Sequence, residues 1–341
     1  MGETTWSRRD FLKVSAAAGL GSSLAGRLSI GALAGRASAA GKGKVVWVQH
    51  KGVMDENGAV NREILGAMLD RALCELTGEK DPIAALSRFV SPDDVVGLKV
   101  NTLGLRGVAG TTYTSHFAAT AEVLASRLTK IVGKPERVVV WDRHNGDLRS
   151  AGYTINVDGE GLRCYGTQDT LGYDSQEFPV GDRKTRFSRI LTEQITALIN
   201  MPLVKTHRMS GVTGALKNHY GSIQNPSDFH GNNCSQPGIP EINALPPVRE
   251  KTRLIVVDAL WVVIEQGPRW TLEYMRPLNA IWVSTDPVAV DRLVLDTIDR
   301  LRAAEKLDSV APDAVHIELA GKLGLGEWRL DKIQLAKVVL A

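Results

Sequence analysis

Cysteine is scarce. The 341-residue chain has three, Cys74, Cys164 and Cys234, with no C-x-x-C pair. That excludes a four-cysteine zinc site or iron–sulfur cluster built within the chain. It leaves at most one disulfide and one spare thiol. Aromatic residues are few, at 6%, while glycine is frequent, at 33 residues; this balance favours a loop-rich α/β fold over a helical bundle. Neither G-x-S-x-G nor H-E-x-x-H occurs, so the common hydrolase elbow and zincin helix are absent. The glycine loops Gly104-Leu105-Arg106-Gly107 and Gly324-Leu325-Gly326 lack the G-x-G-x-x-G context of a dinucleotide site. No internal repeat of 20–50 residues is visible.

Ser7-Arg8-Arg9-Asp10-Phe11-Leu12-Lys13 resembles the twin-arginine export signal at every position. The Ala/Gly-rich stretch after it is interrupted by Arg27, so it offers no charge-free run of the roughly 20 residues a bilayer span needs. Ala37-Ser38-Ala39 supplies a small-x-small cleavage pattern. The expected organisation is a signal at 1–39 and one α/β unit at 40–341, as one large domain or two closely packed subdomains. The expected partner is the twin-arginine translocase and the expected destination periplasmic or otherwise extracytoplasmic, with no stable membrane insertion after cleavage. The signal holds five basic residues (Arg8, Arg9, Lys13, Arg27, Arg36) and two acidic ones (Glu3, Asp10). Removing it leaves equal numbers of each sign, so charge gives no argument for a nucleic-acid partner. Twin-arginine clients are exported folded, many with a cofactor already inserted.

Past the signal, apolar runs alternate with helical spacing. Strands are expected at 44–50, 95–100, 137–141, 197–204, 254–257, 280–283 and 333–340. Helices are expected at 62–76, 117–132, 212–223, 286–301 and 312–323, with a short one opened by Asp81-Pro82. The polar stretch 153–189 has room for a hairpin. This alternation predicts a mostly parallel sheet with helices on both faces. In such sheets ligands sit beyond the carboxyl ends of the strands. The residues there are His50, Lys99 and Asn101, Asp142 and His144, Lys205 and His207, Asp258, and Asp286. Asp286, before Pro287, also reads as a helix N-cap.

Residues 200–234 are the densest segment. On a helix, Gly214, Lys217, Asn218 and Gly221 would share one face. Glycines there bring backbone close to something, and Gly211, Thr213 and Lys217 could form an anion site at a helix start. Lys99, Asn101, Gly211, Thr213, Gly214, Lys217 and Asn218 are therefore the candidate binding residues. His207, Lys205 and Asp258 are the acid–base candidates. His207 and His230 are candidate ligands for a transition metal, with His219 and Cys234 nearby.

These blocks carry a resemblance. Lys99-Val100-Asn101, Pro202-Leu203-Val204-Lys205-Thr206-His207, and Val212-Thr213-Gly214-Ala215-Leu216-Lys217-Asn218-His219-Tyr220-Gly221 look like the family called domain of unknown function 362. Val257-Asp258-Ala259, the block Ser284 to Asp291 and Gly324-Leu325-Gly326 match its later parts. Some members carry ferredoxin-type cysteine clusters; this chain lacks those cysteines, so no iron–sulfur cluster is expected. More locally, His207, Gly211, Gly214 and Lys217 reproduce the spacing H-x3-G-x2-G-x2-K, which is similar to nickel-pincer lactate racemases. That resemblance implies a His acting on substrate and a Lys tethering an organic cofactor. Ala215 and Asn218 depart from the racemase pattern. Two function classes fit: an enzyme of proton-transfer or redox type acting on a small anion, or a periplasmic binding or metal-handling protein using the same pocket.

Overall fold

The computed structural model describes residues 43–341. The proposed signal and its cleavage site lie outside the described residues. Among the described residues no helix is long and apolar enough to cross a membrane.

A ten-stranded sheet organises the chain. Its strands are β1 (Lys44–Gln49), β2 (Val96–Lys99), β3 (Val138–Asp142), β4 (Arg163–Gly166), β7 (Ala197–Asn200), β8 (Leu203–His207), β9 (Gly211–Thr213), β10 (Thr252–Val263), β11 (Met275–Ser284) and β12 (Gln334–Val339). A separate hairpin, β5 (Phe178–Val180) and β6 (Arg183–Thr185), occupies the polar stretch. The main order is β12-β1-β11-β10-β7-β2-β3-β4, with β8 paired to β10 and β9 to β8. Only β11 and β9 run against their neighbours; the other pairings are parallel. The fold is the mostly parallel α/β sheet that the alternation implies.

Alternation within strands assigns the two faces. Val46, Val48, Val138 and Val140 face a core built with the helices Arg62–Thr77 and Ser115–Val132. Val45, Trp47, Val139 and Trp141 face a second core with the helix Pro287–Ala304. Helix ends follow local chemistry. The Asn61 side chain accepts from the Glu63 and Ile64 amides, and Gly78 ends that helix in the left-handed region at φ 80°. Asp286 caps the helix Pro287–Ala304 through the Val288 and Ala289 amides.

Three expectations change. The run 197–204 is two strands, because Pro202 has no N–H to continue the ladder; the chain leaves β7 and restarts as β8 alongside the upper half of β10. The segment 212–223 is not an α-helix: it is β9, a tight turn, and a short 3-10 helix Lys217–Ser222. Gly211, at φ +68°, opens β9 directly after the β8–β9 turn, paired with His207. Finally, Asp286 follows an antiparallel strand, so it lies at the opposite end of the sheet, where its carboxylate also accepts from the Gly43 amide. All three cysteines are free thiols.

Candidate functional site

The carboxyl ends of β2 and β3 bring Lys99 beside Asp142. Lys99 is buried, and its ammonium donates to Asp142 Oδ1 at 2.7 Å, to the Val100 carbonyl at 2.7 Å and to Asn218 Oδ1 at 3.3 Å. Three acceptors satisfy three N–H groups. Asp142 Oδ2 accepts from the Thr102 amide and hydroxyl. Burial pushes the Asp142 carboxyl up, but Lys99 and Thr102 outweigh it and hold the group below its ordinary value.

An asparagine chain extends from this pair. Asn218 Nδ2 donates to the Lys99 carbonyl and to Asn200 Oδ1, and Asn200 Nδ2 donates to the Ala215 carbonyl. Asn101 Nδ2 donates to Asn218 Oδ1 at 3.1 Å. Asn101 Oδ1 then accepts from Lys205 Nζ at 2.8 Å. Lys205 is fully buried, and its other contact is the Leu103 carbonyl at 2.7 Å. Burial pushes its amine down to about 7; Asp142 opposes this, and Lys99 and Lys217 add to it.

Lys217 approaches from the 3-10 helix. Its Nζ lies 3.8 Å over the Tyr220 ring and 3.5 Å from Cys234 Sγ. Burial lowers it to about 8, against the pull of Cys234. His207 closes β8. Its Nδ1 accepts from the Met209 amide at 3.2 Å, which places the ring proton on Nε2. Burial, Lys217, Lys205 and His230 together push it down to about 2, so the ring is neutral at ordinary pH. The His230 ring stacks on it with centroids 6.2 Å apart.

Lys99, Asn101, Lys205, His207, Lys217 and Asn218 are thus brought into one buried neighbourhood. Asn200 and Thr102 belong to it too; a polar residue closing β7 was the signal for the first, and Thr102 had none beyond its place after Asn101. Asp258 does not join. Its carboxylate accepts from His116 Nδ1 at 2.8 Å and Thr120 Oγ1 at 2.9 Å, on the face packed by the helix Ser115–Val132. Gly211 serves the hairpin turn; a Cβ there would come 2.5 Å from the Val310 carbonyl. Gly214 is pressed on Asp291, which accepts from the Ala215 and Leu216 amides. Gly221 is pressed on Asp142 and Lys99. The glycines therefore serve the packing of this segment against Val310, Asp291, Asp142 and Lys99.

Of the candidate metal ligands, His207 and His230 are brought together as a stacked pair. Among the described residues no group of three His, Cys, Asp or Glu is arranged to hold a metal. A surface cleft of about 540 Å³ lined by Asp70, Arg71, Cys74, Glu79 and Lys80 contains none of the site residues.

Residues 96–296 match the family model described as domain of unknown function (DUF362). A comparison with curated proteins gives no match. Two solved structures are similar. The lactate racemase apoprotein from Thermoanaerobacterium thermosaccharolyticum has a TM-score of 0.42 and 11% identity, covering 71% of this chain and 54% of that one. A protein from Thermotoga maritima has a TM-score of 0.41 and 15% identity, covering 79% and 60%. The chain spans little more than half the length of the racemase. At this similarity neither structure assigns a chemical role to any residue here.

Proposed function

The chain belongs to the domain of unknown function family DUF362, and from its site we propose that it binds a small carboxylate- or phosphate-bearing ligand and moves a proton on it. One observation carries this reading: among the described residues, Lys205 and Lys217 are buried without a carboxylate partner. Burying an unpaired ammonium is costly unless a counter-charge arrives. The sole carboxylate of the network, Asp142, is committed to Lys99 and Thr102. An anionic ligand supplies the missing charge.

The proton chemistry follows from the same geometry. The depressed Lys205 amine exchanges a proton near neutral pH. Neutral His207 keeps Nε2–H as a donor toward a ligand oxygen. Asn101 fixes Lys205 through a single hydrogen bond and is itself fixed by Asn218. The twin-arginine segment supports an extracytoplasmic place of action. The test is thermal: oxalate should raise the unfolding midpoint of the wild type, and Lys217→Met should abolish the rise. An equal rise in both proteins would place the anion elsewhere.

A further inference from the structure

We propose that Lys205 is a Schiff-base lysine, adding its amine to the carbonyl carbon of a small oxo acid whose carboxylate is held by Lys217. This rests on the anion-site reading and names its substrate class. The chain contains its own control. Lys99 has three acceptors, one a carboxylate, so it is built to remain an ammonium with no lone pair. Lys205 has two acceptors, both neutral: Asn101 Oδ1 and the Leu103 carbonyl. A neutral amine has two N–H groups and one lone pair. The two acceptors take the two hydrogens, and the lone pair is left for an electrophile.

The surroundings suit addition to a carbonyl. Thr213 pairs with Lys205 across the β8–β9 hairpin, so the two side chains share a face. Thr213 is buried, yet among the described residues its hydroxyl has no hydrogen-bond partner. His207 lies two residues along β8, again on that face. Its Nε2–H can polarise the carbonyl oxygen, and the Thr213 hydroxyl can relay hydrogen between nitrogen and oxygen. Depressed basicity beside other cations also favours a nucleophilic lysine. The proposed access is past Leu103, a residue 56% exposed whose carbonyl holds Nζ.

The step balances without an outside reagent. The amine lone pair forms the C–N bond as the carbonyl π bond breaks, and one amine hydrogen moves to oxygen. The carbinolamine hydroxyl then leaves as water with the second hydrogen, and the C=N bond forms. No oxidant or reductant is consumed.

The experiment incubates the exported protein with pyruvate and sodium cyanoborohydride, followed by peptide mapping. Expected is one carboxyethyl group on Lys205, formed faster than on any exposed lysine and slowed by excess oxalate. Thr213→Val should slow it while leaving the thermal unfolding midpoint of the ligand-free protein unchanged. Modification spread over surface lysines, or none at Lys205, would overturn the inference. If oxalate still stabilises the wild type in that case, the anion site stands and only the Schiff base falls. If oxalate does not bind either, both fall.

Discussion

Lys99 and Lys217 are the same residue type, equally buried, in opposite circumstances. Lys99 has a carboxylate 2.7 Å away; Lys217 has a thiol and an aromatic ring. Removing one partner of a buried ion pair strands the other charge. Lys99→Met should therefore cost roughly 3–5 kcal/mol. Lys217→Met removes an uncompensated cation, so the loss of its ring contact is offset and stability should move by less than about 1 kcal/mol. Urea unfolding of both variants measures this; similar large losses would show Lys217 to be a folding residue. The gathering of Lys99, Asn101, Lys205 and His207 was readable from their place after apolar runs. The partner of each was not, because strand-end position says nothing about direction. Asp258 shows the limit: it sits within a 12-residue strand and points to the helix Ser115–Val132.

Among the elements, the segment 211–223 departs furthest from its sequence periodicity. Its spacing fits a helix, but the chain forms a hairpin and a 3-10 turn, from which Lys217 reaches Cys234 and Tyr220 while Asn218 reaches Lys99 and Asn200. Periodicity could not see this, since Gly211 is free to take the positive φ that reverses the chain. Gly214 has a different role. A Cβ there would stand 2.2 Å from Asp291 Oδ1, the carboxylate that anchors the turn leading to Lys217. Gly214→Ala should destabilise by about 1–3 kcal/mol and weaken oxalate binding by displacing Lys217. Unchanged stability by thermal unfolding would mean that Asp291 yields without cost. The same limit applies to Asp286. Its capping role was legible, but its end of the sheet depends on the antiparallel course of β11, which its apolar run does not encode.

At the scale of the whole molecule the mostly parallel sheet is legible from alternation, and the twin-arginine match in the first residues motivates the proposal of an extracytoplasmic destination. Helices on both faces leave the carboxyl ends of β2, β3 and β8 to meet above the sheet, and this is where the uncompensated lysines collect. Replacing Arg8 and Arg9 with Lys should retain the protein in the cytoplasm; cell fractionation showing undiminished export would remove the extracytoplasmic proposal. The central claim, that a small anion completes the charge of this site, is tested most directly by titration calorimetry with oxalate at pH 8.5 in buffers of different ionisation enthalpy. Lys217, lowered to about 8 from the ordinary 10.5, is largely neutral in the free protein at that pH. A bound anion favours its charged form, so its pKa rises and binding should take up a proton. The uptake should fade by pH 6, where Lys217 is already charged, and disappear in Lys217→Met together with at least tenfold in affinity, about 1.4 kcal/mol. Binding without proton uptake, or with the same affinity in Lys217→Met, would contradict the account.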